Sequence, residues 1–173
     1  MQIELQAFEA RDFDRLIGWI SAPDDLHQWA GLIFEFPLTS EQLQTHLETA
    51  EKMHRRLYKA VDVESGEAVG HAELSHIWHG LSGRVSRMIV GDPAQRGRGI
   101  GTQMTKRVVE LGFDEFEFDR MDIGAIATNE VAVTCYRNAG FRSVGIWRDA
   151  MTLPNGNIDV HWLTIFRSHW VAN

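Results

Sequence analysis

The stretch QRGRGIGT, residues 95–102, places three glycines and two arginines within eight residues. It follows the strand-like segment RVSRMIV (84–90) and precedes apolar residues spaced at i, i+4, i+8 and i+11 from Ile100, which is the pattern of a helix face. Free N–H groups at a helix N-terminus attract an anion. Glycine lets the backbone approach a phosphate closely, and arginine adds charge-assisted contacts. The stretch predicts a phosphate-binding loop, with a plain glycine-rich turn as the alternative.

The residue at position 102 can be compared with the residue that two common phosphate-binding motifs require there. A nucleoside-triphosphate P-loop (GxxxxGK[ST]) that begins at Gly97 needs glycine and lysine where the chain has Thr102 and Gln103. A dinucleotide fingerprint (GxGxxG) begins at Gly97 but also meets Thr102, although Asp119 stands near the position of its acidic residue. The first loop is excluded, and the second leaves a nicotinamide-dependent oxidoreductase as a poorly matched alternative.

The remaining chain predicts one α/β domain over residues 1–173, because no linker or repeat divides it. Strands are expected at 2–8, 57–63, 68–78, 84–90, 121–128, 141–151 and 159–166, with a Pro154-Asn155-Gly156 turn between the last two. Helices are expected at 12–20, after Thr39 or Ser40, after the glycine loop, and from Asn129 to Gly140. The segment 21–37 reads as irregular.

Composition and charge limit the classes of function that the chain can have. The 173 residues carry a formal net charge of −7, which argues against a nucleic-acid or anionic-membrane surface and tilts slightly toward cationic partners. The single cysteine, Cys135, forms no internal disulfide and reads as a small buried side chain. No signal-peptide pattern or membrane-spanning apolar run is visible, so a cytoplasmic protein is expected.

A second motif follows the loop: NEVAVTCYRNAGF at 129–141. Together with RGRGIG at 96–101 it resembles the GNAT superfamily of acyl-CoA-dependent N-acetyltransferases, whose loop reads [QR]xxGx[GA] and whose late helix reads NxxAxxxYxxxGF. The matching positions are Arg96, Gly99, Gly101, Asn129, Ala132, Tyr136, Gly140 and Phe141. The N-terminal third looks most similar to ribosomal-protein alanine acetyltransferases.

The resemblance implies a mixed, mostly antiparallel twisted sheet flanked by helices, with a V-shaped cleft where strands splay apart. It implies transfer of acetyl from acetyl-CoA, with no metal, to a primary amine by direct attack in a ternary complex. The acceptor is expected to be a small molecule or a protein N-terminus, and a homodimer is compatible with the fold. The implied cofactor-binding residues are Val90, Gly91, Arg96, Gly97, Arg98, Gly99, Gly101, Thr102 and Asn129.

Two catalytic residues are predicted. Tyr136 is expected to protonate the leaving thiolate, since a phenol is a suitable acid for that step; a core tyrosine is the alternative. The strand RVSRMIV lacks the carboxylate that many family members carry, so Glu73 is the nearest candidate for a base or for an acceptor-binding group. Strand alternation places it on one face with His71 and Ser75, and a plain polar face is the alternative.

Two further expectations follow from these residues. Trp29, Phe34 and Phe36 are more often core residues than the walls of an acceptor pocket. The missing carboxylate supports a second function, that of a catalytically reduced acyl-CoA-binding or sensing module, and a purely structural domain is the third.

Overall fold

The computed structural model describes residues 2–153 and 156–170. Within these residues, seven strands form one sheet, with the bounds β1 Ile3–Ala7, β2 Arg56–Asp62, β3 Ala68–Trp78, β4 Ser82–Val90, β5 Arg120–Ile126, β6 Arg142–Leu153 and β7 Gly156–Phe166. Five α-helices flank it: α1 Phe13–Trp19, α2 Pro23–Ala30, α3 Ser40–Glu48, α4 Ile100–Asp114 and α5 Glu130–Asn138.

The strand order is β1-β2-β3-β4-β5-β7-β6. Neighbouring strands are antiparallel except β4 and β5, which are parallel. This confirms the predicted mixed, mostly antiparallel sheet flanked by helices.

The two faces of the sheet carry different helices. Ala72 and Leu74 of β3 belong to the core beneath α4 and α5, whereas the side chain of Glu73, which lies between them, points to the opposite face. That opposite face is covered over β1 to β4 by α1, α2 and α3, which bury their own apolar cluster against Leu57 and Ile89. Strand alternation therefore sends successive residues of β3 into two separate layers.

Helix α4 forms where the apolar spacing predicts it. Ile100, Met104 and Val108 are fully buried, and Leu111 is half-buried against the same core. Each such side chain contributes about 1.5–3 kcal/mol when it leaves water. The burial of this stripe fixes the glycine loop at the helix N-terminus in front of β4.

The prediction that residues 21–37 are irregular is wrong in part, because residues 23–30 form helix α2. Pro23 occupies the first helical turn, where its missing N–H costs nothing. The Asp25 carboxylate accepts hydrogen bonds from the backbone N–H groups of Ser21 and Ala22 at 3.2 and 3.1 Å. Trp29 and Phe34 are buried as expected, whereas Phe36 is 44% exposed.

The other expected elements are present with bounds within two residues of the predicted ones, except that β7 begins three residues earlier than expected. The Thr39 hydroxyl caps α3 by accepting a hydrogen bond from the Gln42 N–H at 3.4 Å. The Pro154-Asn155-Gly156 turn lies partly outside the described residues. Among the helices of residues 2–153 and 156–170, none combines the length and apolar composition needed to cross a membrane.

Candidate active site

The sheet is split between β4 and β5. Their parallel pairing runs over only four residue pairs, from Ser82–Arg120 to Val85–Ile123. Beyond this point β4 continues to Val90 beside β3, while β5 continues to Ile126 beside β7. The facing edges of 86–90 and 124–126 therefore have no strand partner across the split. A V-shaped cleft results, with its vertex at Val85 and Ile123.

A β-bulge shapes the β4 wall of this split. The register shifts between the pairs Glu73–Ser86 and His71–Ile89, so that Arg87 and Met88 oppose the single residue Ala72. Arg87 has φ of 45°, a left-handed conformation that is uncommon for a side-chain-bearing residue. The indole of Trp29 donates a hydrogen bond to the Arg87 carbonyl at 2.8 Å. A contact from α2 therefore fixes the backbone at the bulge.

The end of β4 carries Val90 and Gly91, two of the implied cofactor-binding residues, and the N–H group of one of them points to the split. Gly91 N–H donates to the Val69 carbonyl at 2.9 Å, toward β3. Because successive N–H groups of a strand point to opposite edges, the Val90 N–H points toward the split. Gly91 has another role, since a Cβ there would overlap the ring of Trp19.

The glycine loop exposes a run of unused donors. The six consecutive N–H groups from Gly97 to Thr102 have no hydrogen-bond acceptor within residues 2–153 and 156–170. Gly97 and Gly99 have φ of 77° and 82°, and a Cβ at either would project into open space. The loop is thus a concave row of N–H groups at the N-terminus of the 15-residue helix α4, as anion binding requires.

The predicted residues of the loop differ in what they contact. The Arg96 guanidinium folds back to donate to the carbonyls of Val90 and Gly91, at 3.2 and 3.4 Å. Arg98 is exposed at the rim of the loop. Gly101 is a packing position, because a Cβ there would lie 3.1 Å from the Cys135 sulfur.

Helix α5 carries two predicted residues. The Asn129 side-chain oxygen caps the helix by accepting from the Ala132 N–H at 3.0 Å. Tyr136 lies two turns further on, is 8% exposed and packs in the core that also contains Val85 and Ile123 at the vertex of the split. Burial, and then the neighbouring Cys135, raise the pKa of Tyr136 above its ordinary value. The phenol is therefore protonated throughout the neutral range.

Glu73 lies at the centre of a buried polar cluster. Its carboxylate contacts His46 Nε2 at 2.9 Å and His71 Nε2 at 3.4 Å, and it forms an ion pair of 2.5 Å with Arg87 Nη2. Arg55 donates to His46 Nδ1 at 2.9 Å, so the other ring nitrogen of His46 carries the proton that Glu73 accepts. No sequence pattern points to His46, because it lies on α3, 27 residues from Glu73.

This environment makes Glu73 a strongly retained anion. Burial alone raises the pKa of Glu73, but hydrogen bonds from His46 and His71 and the charge of Arg87 outweigh burial and hold it well below its ordinary value. A carboxylate that is 1% exposed and lies in contact with three positively charged or N–H-bearing side chains is a poor acceptor for a substrate proton. The geometry gives the predicted base role little support.

Beside the split, the sheet face opposite α4 and α5 carries partly or fully exposed residues. We call this region, formed by Arg84, Asp122, Gly124, Trp147 and Trp162, the acceptor face. The guanidinium of Arg84 lies 4.5 Å from the centroid of the Trp162 ring, and the rings of Trp147 and Trp162 are 5.3 Å apart. Arg84 and Trp162 were not among the predicted site residues, because only the pairing across β5 brings them together.

A contact across this region limits its width. A Cβ on Gly31, at the end of α2, would lie 3.3 Å from the Met151 side chain on β6. The end of α2 and strand β6 therefore approach each other on the side of the sheet that carries the acceptor face. Within the described residues, no group of three His, Cys, Asp or Glu side chains is arranged to hold a metal ion.

Comparison with known proteins gives one family and a consistent set of relatives. Residues 23–141 match the model of the acetyltransferase (GNAT) family. The chain is 22% identical over 165 residues to aminoglycoside N(6')-acetyltransferase type 1 of Klebsiella pneumoniae, covering 89% of this chain and 79% of the relative. It is 28% identical over 110 residues to the probable N-acetyltransferase YjcK of Bacillus subtilis, covering 62% and 58%.

Solved structures show the same fold. Spermidine N-acetyltransferase from Vibrio cholerae, in complex with CoA and spermine, superposes with a TM-score of 0.80 at 20% identity over 97% of both chains. The aminoglycoside acetyltransferase AAC(6')-Ib, in complex with paromomycin and acetyl-CoA, superposes with a TM-score of 0.78 at 20% identity over 98% of this chain and 96% of that one.

Proposed function

Since the chain belongs to the acetyltransferase (GNAT) family, we propose that it transfers an acetyl group from acetyl-CoA to a primary amine by direct attack in a ternary complex. The observation that carries the proposal is the row of six unused N–H groups from Gly97 to Thr102 beside a split sheet. The solved relatives that bind CoA with spermine or an aminoglycoside support it. We propose a small-molecule amine as the acceptor.

The phosphates of the acyl donor fit the glycine loop. Six N–H groups and the positive end of the α4 dipole supply the charge complement, and the exposed Arg98 can add a contact at the rim. The open edge of 86–90 can pair with the amides of the donor's pantetheine arm, in the manner of an added strand. The free amide nitrogen of Asn129, whose oxygen is already used as a cap, is available at the other wall of the split.

The reaction needs three further contributions from the chain. When bound, acetyl-CoA supplies an activated thioester. The Val90 N–H, which points toward the split, is placed to stabilise the oxyanion that develops as the amine attacks the carbonyl carbon. As the C–S bond breaks, Tyr136 donates its proton to the departing sulfur, and the proton that the amine loses returns through solvent to the Tyr136 phenolate, which restores the phenol. Glu73 acts on this site through Arg87, whose position it fixes at the β4 bulge.

Thermal unfolding in the presence of acetyl-CoA, NAD or ATP tests the ligand. At 100 times its dissociation constant, acetyl-CoA is expected to add about 2.7 kcal/mol to the free energy of unfolding, which raises Tm by about 5–10 °C. The loop geometry predicts no comparable shift with NAD, since Thr102 breaks that fingerprint. A rise in Tm with NAD and none with acetyl-CoA would contradict the proposal.

Gly99 provides a test of the loop itself. Gly99→Ala is expected to raise the dissociation constant of acetyl-CoA about tenfold, because a side chain at φ of 82° strains the loop and moves its N–H groups. Isothermal titration calorimetry measures this change. Gly66→Ala is the matched control, with φ of 71°, equally open surroundings and a place in the β2–β3 turn. Equal affinity losses in the two variants would contradict a special role for the loop.

One observation favours a second function. The β4 wall from 86 to 90 carries no carboxylate, and Glu73 is held by three partners. A catalytically reduced acyl-CoA-binding module would show the acetyl-CoA shift in Tm but release no thiol with any amine. Thiol release with spermine, kanamycin or a simple amine separates the two functions.

Several more specific statements about the protein remain predictions. These are a single acetyltransferase domain over residues 1–173, a cytoplasmic location, a homodimer and a protein N-terminus as acceptor. The resemblance to ribosomal-protein alanine acetyltransferases also stays one, since the relatives named above are aminoglycoside and spermidine acetyltransferases.

A further inference from the structure

We propose that the acceptor amine carries a carboxylate, and that Arg84 on the acceptor face binds it. This inference rests on the proposed function and narrows its substrate class. Arg84 lies at the vertex of the split, one residue before Val85, where the pairing with β5 ends. Its side chain projects on the face opposite α4 and α5, because Val85 points into the core beneath those helices.

Arg84 lacks a counterion. It is half-buried, yet within residues 2–153 and 156–170 no carboxylate lies within 4 Å of its guanidinium and no hydrogen bond involves it. Asp122 is its partner across the β4–β5 register, but that carboxylate is paired with Arg120 at 3.2 Å. Burial lowers the pKa of Arg84, as expected for a desolvated cation that no neighbour fully compensates.

Two unused donors lie on the same wall. Arg84 Nε and Trp162 Nε1 are both buried and have no acceptor among the described residues, and the Arg84 guanidinium lies over the Trp162 ring. The hydroxyl of Ser75, which lies opposite Arg84 in the β3–β4 register, bonds instead to the hydroxyl of Ser86 at 2.6 Å. Buried donors normally have partners. A bound oxyanion supplies the acceptors that the chain does not.

The local charge differs from that of the whole chain. Around the vertex, Glu73 pairs with Arg87 and Asp122 pairs with Arg120, so that Asp122 offsets the positive charge of Arg84 only in part. A polycation would meet this charge directly, despite the net charge of −7 over the chain. The planar fork of a guanidinium matches a carboxylate, and the Trp147–Trp162 pair offers an apolar wall for the rest of such a molecule.

Matched acids and amides test this inference. Thiol release is measured with L-phenylalanine and L-phenylalaninamide, and with 4-aminobutyrate and 4-aminobutyramide. The wild type is expected to favour each acid by about 10- to 100-fold in kcat/KM, the effect of one charged hydrogen-bonded pair. Amine protonation alone would give the opposite preference. At neutral pH the amine of each acid is more often protonated than that of its amide, and a protonated amine does not attack.

Variants assign the preference to Arg84. Arg84→Gln is expected to abolish the preference for the acid, and Arg84→Lys to keep part of it, since lysine retains the charge but not the fork. Arg11→Gln is the control, because Arg11 is an exposed arginine paired with Glu9 far from the split. It should leave the preference unchanged, and the Tm of each variant is recorded.

The outcomes separate this inference from the proposed function. Acetylation of the amides, spermine or kanamycin in preference to the acids keeps the proposed function and overturns the inference. An acid preference that survives in Arg84→Gln also overturns it. If no amine releases thiol, the proposed function fails and the inference fails with it.

Discussion

Replacing Tyr136 with phenylalanine is expected to lower kcat by about 100- to 1,000-fold, which is the contribution of a general acid. Burial raises the pKa of Tyr136, which keeps the phenol protonated at neutral pH but makes it a weaker acid, so the effect is expected in the lower part of the range for general acids. The affinity for acetyl-CoA should change little, because the phosphate-binding N–H groups lie on the glycine loop and not on α5. Steady-state kinetics of thiol release, with calorimetric binding of acetyl-CoA, measure both quantities.

The second tyrosine is a matched control. Tyr58, on β2, is half-buried against the same core in which Tyr136 is fully buried, and burial raises its pKa to about 12. Tyr58→Phe removes the same hydroxyl two strands away from the split and should leave kcat within about twofold of wild type. Equal losses of kcat in the two variants would show that Tyr136 acts through packing and not as an acid.

Replacing Glu73 with alanine is expected to lower the free energy of unfolding by about 3–5 kcal/mol, because it leaves Arg87 buried without its counterion. Urea denaturation at pH 7 measures the loss. Glu110→Ala is the control, since the Arg107–Glu110 pair lies at the surface of α4 and should contribute about 1 kcal/mol or less. Similar losses at the two positions would contradict the structural role of the Glu73 cluster.

The pH dependence of this loss has a defined sign. The pKa of Glu73 in the folded chain lies well below its ordinary value of about 4.3. Its stabilising contribution is therefore fully present above about pH 4.3 and is lost as pH falls through the folded-state pKa. The difference in unfolding free energy between wild type and Glu73→Ala should narrow below about pH 4. A difference that stays constant down to pH 3 would exclude an ionised Glu73 as its source.

Local patterns predicted much of this molecule. The glycine loop, the apolar stripe from Ile100 and the helix that starts at Asn129 each depend on residues within one turn of the chain, and all three are present. The family also follows from these segments, because its phosphate loop and its late helix are local motifs. The family match at residues 23–141 confirms the predicted superfamily and its acetyltransferase class.

Long-range contacts explain what the sequence did not reveal. One miss is local, since helix α2 begins with a proline and is capped by a side chain inside its own first turn, although residues 21–37 are expected to be irregular. The partners of Glu73 come from α3 and from the β4 bulge, and Arg84 reaches a tryptophan 78 residues away. Strand alternation correctly placed His71 and Glu73 together, but only the fold shows that helices cover that face.

The split between β4 and β5 also separates the sheet into two halves. Strands β1 to β4 form one half with α4, while β5, β7 and β6 form the other with α5. Four residue pairs of the β4–β5 ladder, the apolar core beneath α4 and α5, and the contact between the end of α2 and β6 join the halves. A ligand that spans the split adds a further connection, and its binding stiffens the molecule against shear between the halves. Thermal stability, local opening of the sheet and occupancy of the cleft are thus one coupled equilibrium.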